Sequence, residues 1–415
     1  MGAATRAVNS VPLGSGYKWV MLFGACFFAI MNMTTLSAYA LSAGSLADAI
    51  GATPEKVMTV FGVWSIGQVI SFLIGGWLHD KIGTKWTLLI GGICLVLPQF
   101  LIPHATSFGM IWALRFVQGF CMLAFVPLVV TMIGWFGPEQ AALAIGFFIG
   151  ATLGGGTLGN WFAGSILPSV GWVTTYYIIG VICAVSVLYY IILGKPAPRP
   201  EAAPAAEKRP APEKVTWGKV LSMGVTWLCI ITLLMSTILL YPYFQGMPLH
   251  GEAYGVPGPT VGTMSVILTA IFVVLAALSG VVVRAIARTK GAIRAQALVT
   301  AVGFVIMIVG VILFATLGTT GSAAGFFISA LVTFGGMAFM MPPFNTLVPM
   351  LYPPEVVGIS TGIVTFLGNL LNPVTPGVWL KIQGALGWPG YWLTLIPALV
   401  IGAVCMIVVY RMRRD

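Results

Sequence analysis

Apolar runs of about 20 residues or more, parted by short polar breaks, recur along the whole chain, and each is long enough to cross the roughly 30 Å hydrocarbon core of a bilayer as a helix. Twelve such spans are predicted, at 18–42, 57–79, 85–102, 108–134, 140–167, 171–194, 219–246, 260–284, 292–316, 321–347, 356–383 and 388–411. The pattern predicts an all-α membrane protein. Composition agrees: 59% of the 415 residues are hydrophobic and 7% charged, with a mean hydropathy of +1.00. A soluble domain so apolar could not keep its surface in water. The polar start "MGAATRAVNSVPLGSGYK" lacks the short apolar stretch and small-residue site of a cleavable leader, so the first span is expected to remain as an anchor.

The longest polar stretch, "GKPAPRPEAAPAAEKRPAPEKVTWGK", is rich in Pro, Ala and charge and reads as a linker. It divides the chain into an N-terminal six-helix bundle at 1–193, a linker at 194–218 and a C-terminal six-helix bundle at 219–415. If the N-terminus is cytoplasmic, seventeen of the twenty Lys and Arg residues fall on cytoplasmic segments, which by the positive-inside rule sets both termini there. The net charge of +10 is then a topology signal, and a nucleic-acid partner is not expected because no soluble basic domain exists to present it. The expected setting is the inner membrane of a prokaryote, with the lipid bilayer and a small-molecule substrate as partners and a monomer as the working form.

The two halves repeat. At an offset of 216, Pro127 matches Pro343, Pro138 matches Pro354, Glu139 matches Glu355 and Gly146 matches Gly362, and the register runs on to Gly171-Trp172 against Gly387-Trp388. Earlier in each half an offset of 204 sets Gly76 against Gly280, Asn32 against Ser236 and Tyr39 against Tyr243. Parallel repeats of this size are the architecture of alternating-access transporters, in which two bundles rock about a site near the midplane.

"GGWLHDKIGTKWT", starting at Gly75, gathers charge in an otherwise apolar chain. Gly76, Asp80, Lys81, Gly83 and Lys85 fill every defining position of the loop signature between the second and third helices of the major facilitator superfamily, which the sequence resembles over its whole length. The second-half copy has Arg284 where the Asp would stand. The physical logic is that of a conformational latch: Gly76 permits close helix approach, Gly83 a tight turn, and Asp80 can sit against the positive end of a neighbouring helix. In the family that neighbour is the start of the eleventh helix, here near Val356. The fourth span carries "RFVQG", resembling the superfamily's Arg-x-x-Gln-Gly motif. In the fifth, Gly146, Gly155, Gly159 and Gly164 fall where an antiporter-associated motif has glycine, although Asn160 and Ala163 depart from it.

The ten acids all fall outside membrane depth, so a carboxylate proton relay has no evident members. The six cysteines lie in apolar spans without metal-ligand spacing and read as packing residues. No cofactor or metal is expected. An enzyme is not expected either, since no nucleophile or acid/base pair shares one depth, and the absence of a Walker-type loop points to a solute gradient or exchange as the energy source. Arg115 is the one charge at membrane depth, read either as a substrate contact or as a residue bonded inside the first bundle. The family's central cavity is lined by its first, fourth, seventh and tenth helices. Candidate liners are Asn32, Thr35, Tyr39, Arg115, Gln118, Ser236, Thr237, Tyr241, Tyr243 and Asn345, with Asn369 added from the eleventh span, where Asn372, Pro373, Pro376 and Gly377 suggest a broken helix.

One buried cation among neutral hydrogen-bonding groups favours a small organic monoanion as substrate. The oxalate/formate-antiporter branch is similar in size and topology. Its mid-helix basic residues in the eighth and eleventh helices are missing here, as are the paired arginines of the sugar-phosphate exchangers, so a dianion is disfavoured. The alternative is an exporter of neutral or lipophilic compounds, consistent with Met- and aromatic-rich spans.

Overall fold

The computed structural model describes residues 16–197, 217–241, 243, 246–353 and 356–412. Most of the polar linker, the turn at Pro354 and Glu355, and the side chains of Tyr241 and Asn160 lie outside the described residues. Every regular element among those described is a helix. Eight helical stretches are long and apolar enough to cross a membrane, and two shorter apolar helices, Gly224–Leu240 and Val357–Gly368, accompany them.

The longest stretches, Lys56–His104 with 49 residues and Gln140–Leu193 with 54, far exceed one crossing. Each is broken where a glycine leaves helical backbone: Gly83 at φ 78° in the first and Gly171 at φ 76° in the second. A side chain at such a φ is strained, so glycine sets the place of the reversal. The repeat reappears here in backbone geometry. Gly171 and Gly387, matched at offset 216, adopt φ values of 76° and 66°, and Gly291 at φ 80° turns the second half much as Gly83 turns the first. The break expected in the eleventh span is also seen: the helix Val357–Gly368 ends, residues 369–374 form turns, and the helix Thr375–Leu393 begins.

Large apolar side chains stand exposed on the outer surface, among them Trp161, Val274, Ile192, Trp86 and Ile93. In water such a surface would drive aggregation, and in a bilayer it meets lipid tails. Between the helices a continuous core of small residues, Met and Phe fills the interior. Glycine sets several close approaches. Gly67 and Gly119 face each other where the second and fourth spans cross, while Gly155 and Gly159 lie against Ile30, Thr34 and Ser37 of the first helix.

Candidate functional site

Two close helix crossings join the halves, and repeat-related residues build both. In one, Gly76 abuts the Gly358 carbonyl, and a Cβ on Gly362 would stand 2.8 Å from the Phe72 carbonyl oxygen. In the other, a Cβ on Gly280 would stand 2.8 Å from the Leu143 amide nitrogen, and one on Gly146 would lie 3.0 Å from the Ala276 carbonyl. Gly76 corresponds to Gly280 and Gly362 to Gly146, so the same pair of small residues serves each crossing. Without Cβ atoms the backbones approach closely enough for dispersion contacts along their length.

At the first crossing a charge is added. The helix Val357–Gly368 begins after Val356, whose side chain cannot cap it. Its second and third amides are satisfied from the other half of the chain: Asp80 Oδ1 accepts from Gly358 N at 3.1 Å and Asp80 Oδ2 from Ile359 N at 2.7 Å. These are the amides that an N-cap side chain ordinarily takes, and the carboxylate also meets the positive end of the helix dipole. His79 Nδ1 lies 3.3 Å from Asp80 Oδ1. Gly83 makes the turn that follows, and Lys81 and Lys85 come after the carboxylate without a carboxylate partner among the described residues.

The cavity candidates divide by the structure. Asn32 lines a small void of about 10 Å³ within the first half, together with Phe28, Met122, Phe125, Phe148 and Thr152. That volume admits at most one water molecule, and all its lining residues come from the first half. Asn32 is held there only by sulfur: its Nδ2 donates to Met122 Sδ at 3.0 Å and its Oδ1 accepts from Cys121 Sγ at 2.9 Å. Sulfur is a weak partner, which leaves the amide ready to exchange for an oxygen ligand. Phe125, Phe148 and Thr152 were not singled out from sequence. The spacing i, i+4 of Phe28 with Asn32 and of Phe148 with Thr152 was the available signal.

Arg115, Gln118 and Tyr39 do not line this void and meet one another inside the first half. Arg115 is fully buried, its guanidinium carbon 4.2 Å from the Tyr39 ring centroid and 5.6 Å from that of Phe61, and it donates to Gln118 Oε1. Gln118 Nε2 continues to Gln99 Oε1 at 3.1 Å, and Tyr39 OH donates to the Val57 carbonyl at 2.7 Å. The network is internal to the first half. The physical reason is a 3₁₀ turn, Phe120–Ala124, between the helices Phe108–Gly119 and Phe125–Leu193. Five residues at about 120° each, instead of about 100°, rotate the following face by roughly 100°. Residues after the turn reach the void, while those before it face inward.

The Tyr243 ring stacks on Phe334 at 5.1 Å and its hydroxyl donates to the Ala330 carbonyl at 3.1 Å, inside the second half. Thr35 and Ser236 donate to carbonyls of their own helices, and Thr237 donates to the Gly368 carbonyl at 3.1 Å. Asn345 donates to Met341 O and Asn369 to Thr365 O, so neither amide nitrogen reaches the void.

A family model described as Major Facilitator Superfamily matches residues 21–376. Among curated proteins, the chain is 24% identical over 422 residues to the 3-(3-hydroxy-phenyl)propionate transporter of Escherichia coli K12, covering 97% of this chain and 96% of that one. It is 31% identical over 189 residues to the uncharacterized MFS-type transporter YhjX of the same organism, an alignment that covers 44% of this chain and about half of that relative, 46%. Among solved structures, the human organic anion transporter MFSD10 (TETRAN) superposes with a TM-score of 0.70 at 13% identity, over 94% of this chain and 99% of that one, a likeness of fold.

Proposed function

The chain belongs to the major facilitator superfamily, a multi-pass transporter of the inner membrane and not an enzyme, and on that premise we propose that it carries a small organic monoanion with an apolar or aromatic body. The observation that carries this reading is the small void within the first half: three phenylalanine rings, one hydroxyl and one amide held by sulfur. The rings suit a flat apolar body, and the Asn32 amide can trade a thioether for a carboxylate oxygen. Arg115 lies behind the void wall and biases the potential there without touching the substrate. The relative matched along its whole length is named for an aromatic acid, in keeping with this reading. Alternating access would proceed by rocking of the two halves, with Asp80 latching the cytoplasmic face and exchange or a solute gradient as the driving force.

A second reading, export of neutral or lipophilic compounds, is favoured by one observation: no cation lines the void. Thermal-shift titration of purified protein separates the two, because a ligand of the folded state raises its apparent melting temperature. Stabilisation by aromatic and aliphatic monocarboxylates, lost in Asn32→Asp, supports the first. Stabilisation by neutral drugs and by no carboxylate discards it.

A further inference from the structure

A cavity of about 550 Å³ opens beside the latch, lined by the turn residues His79, Thr84 and Lys85, by Thr131, and by the chain segment around Lys195. No acid is among its lining residues. Neither lysine has a carboxylate partner among the described residues. Lys195 is held in place on three sides. Trp135 Nε1 donates to its carbonyl at 3.3 Å, its own amide donates to Met21 Sδ at 3.4 Å, and its ammonium lies 4.4 Å from the Tyr17 ring centroid. Gly134 makes room for this segment, since a Cβ there would stand 2.5 Å from that of Ala197. The Thr84 and Thr131 hydroxyls face each other at 2.5 Å. Apart from the Tyr190 hydroxyl the remaining wall is apolar, and two of its members, Trp86 at 54% and Ile82 at 41% exposure, open outward.

Two ammonium groups without a carboxylate partner among the described residues, and two hydroxyls, in a partly enclosed space favour an anion rich in acceptor oxygens. The volume exceeds that of a simple halide, and the apolar wall has room for an attached body. We infer that this cavity is a binding site for a phosphate group, whether on an anionic phospholipid or on a soluble compound. Val357 also lines it, and Val357 opens the helix that Asp80 caps. An occupant therefore touches both halves only while the latch is closed. By linkage it holds that state, and opening the latch weakens its binding by the same factor.

The test uses the full-length protein, purified and stripped of lipid. Its apparent melting temperature is followed against inorganic phosphate at constant ionic strength, and in vesicles with or without phosphatidylglycerol in a phosphatidylcholine background. The expected result is saturable stabilisation in at least one arm. Phosphate acting alone identifies a soluble anion, and phosphatidylglycerol acting alone identifies a lipid headgroup. The double variant Lys85→Gln/Lys195→Gln should raise the apparent dissociation constant at least tenfold, the charge-preserving Lys85→Arg/Lys195→Arg should retain binding, and Lys290→Gln, outside the cavity, should behave as the parent. Asp80→Asn should weaken the same binding. Absence of saturable stabilisation in both arms, or stabilisation undiminished in the double glutamine variant, overturns the assignment; an unchanged affinity in Asp80→Asn overturns its linkage to the latch.

Discussion

Asp80→Asn is the sharpest perturbation of the latch because it changes one heavy atom and almost no volume. In the closed state the carboxylate accepts from two helix amides, at 3.1 and 2.7 Å, in part-buried geometry. Asparagine keeps one acceptor oxygen and places an amide N–H₂ where the second amide needs an acceptor. One charge-assisted bond is lost, worth about 1.5 kcal/mol or more, and with it a charge–dipole attraction of about 0.3–1 kcal/mol. Together these come to about 2 kcal/mol, which lowers the closed-to-open ratio roughly thirtyfold. None of this is felt when the latch is open, so folding and insertion should stay near those of the parent. The assay is substrate flux in proteoliposomes, normalised to inserted protein, beside the reactivity of a single cysteine introduced in place of Val357, which already carries a side chain, with and without the substitution. Slowed flux with raised reactivity at 357 is expected. Full flux by a correctly inserted Asp80→Asn protein would refute the argument.

Gly76→Val should separate the same crossing sterically, since its Cβ meets the Gly358 carbonyl, and a flux defect at least as large as that of Asp80→Asn is expected. Arg115→Gln removes a charge seven residues before Met122 of the void, roughly 12 Å by the rise of four α-helical and three 3₁₀ residues. At an effective dielectric constant near 20 this is on the order of 1.5 kcal/mol, so anion affinity should fall on the order of tenfold while neutral ligands bind unchanged, as read by thermal-shift titration. His250 sits between the membrane-crossing stretches in the helix Met247–Ala253, with Trp392 Nε1 donating to its Nδ1 at 3.0 Å. Burial among Trp388, Phe314 and Phe326 pushes it down to about 4 from 6.5. The unfolded chain binds the proton first, so this contribution is whole above about pH 6.5 and is lost progressively, to about 3 kcal/mol, as pH falls toward 4. The melting temperature should drop over that interval and should flatten in His250→Gln, which keeps an acceptor for Trp392.

The elements of the latch were legible in sequence because each demand falls on one residue type. Positive φ at Gly83 admits glycine, backbone contact at Gly76 excludes a Cβ, and an uncapped helix start needs an acceptor such as Asp80. The membrane setting and the broken helix after Gly368 were equally local properties of pattern. Which way a polar side chain faces was not legible. Arg115, Gln118 and Asn32 all looked like cavity residues by depth, and only Asn32 lines the void. Depth follows from counting residues along a span, whereas direction accumulates every deviation in helical twist, and the 3₁₀ turn at Phe120–Ala124 shifts it by about a quarter turn. Tyr39 and Tyr243, which the repeat sets against each other, show the same limit, since each bonds a carbonyl of its own half. Sequence alone determined which residues exist at each depth and where the chain reverses. The tertiary structure decided which of them meet, because a shared site depends on the rotation and close approach of helices far apart in the chain.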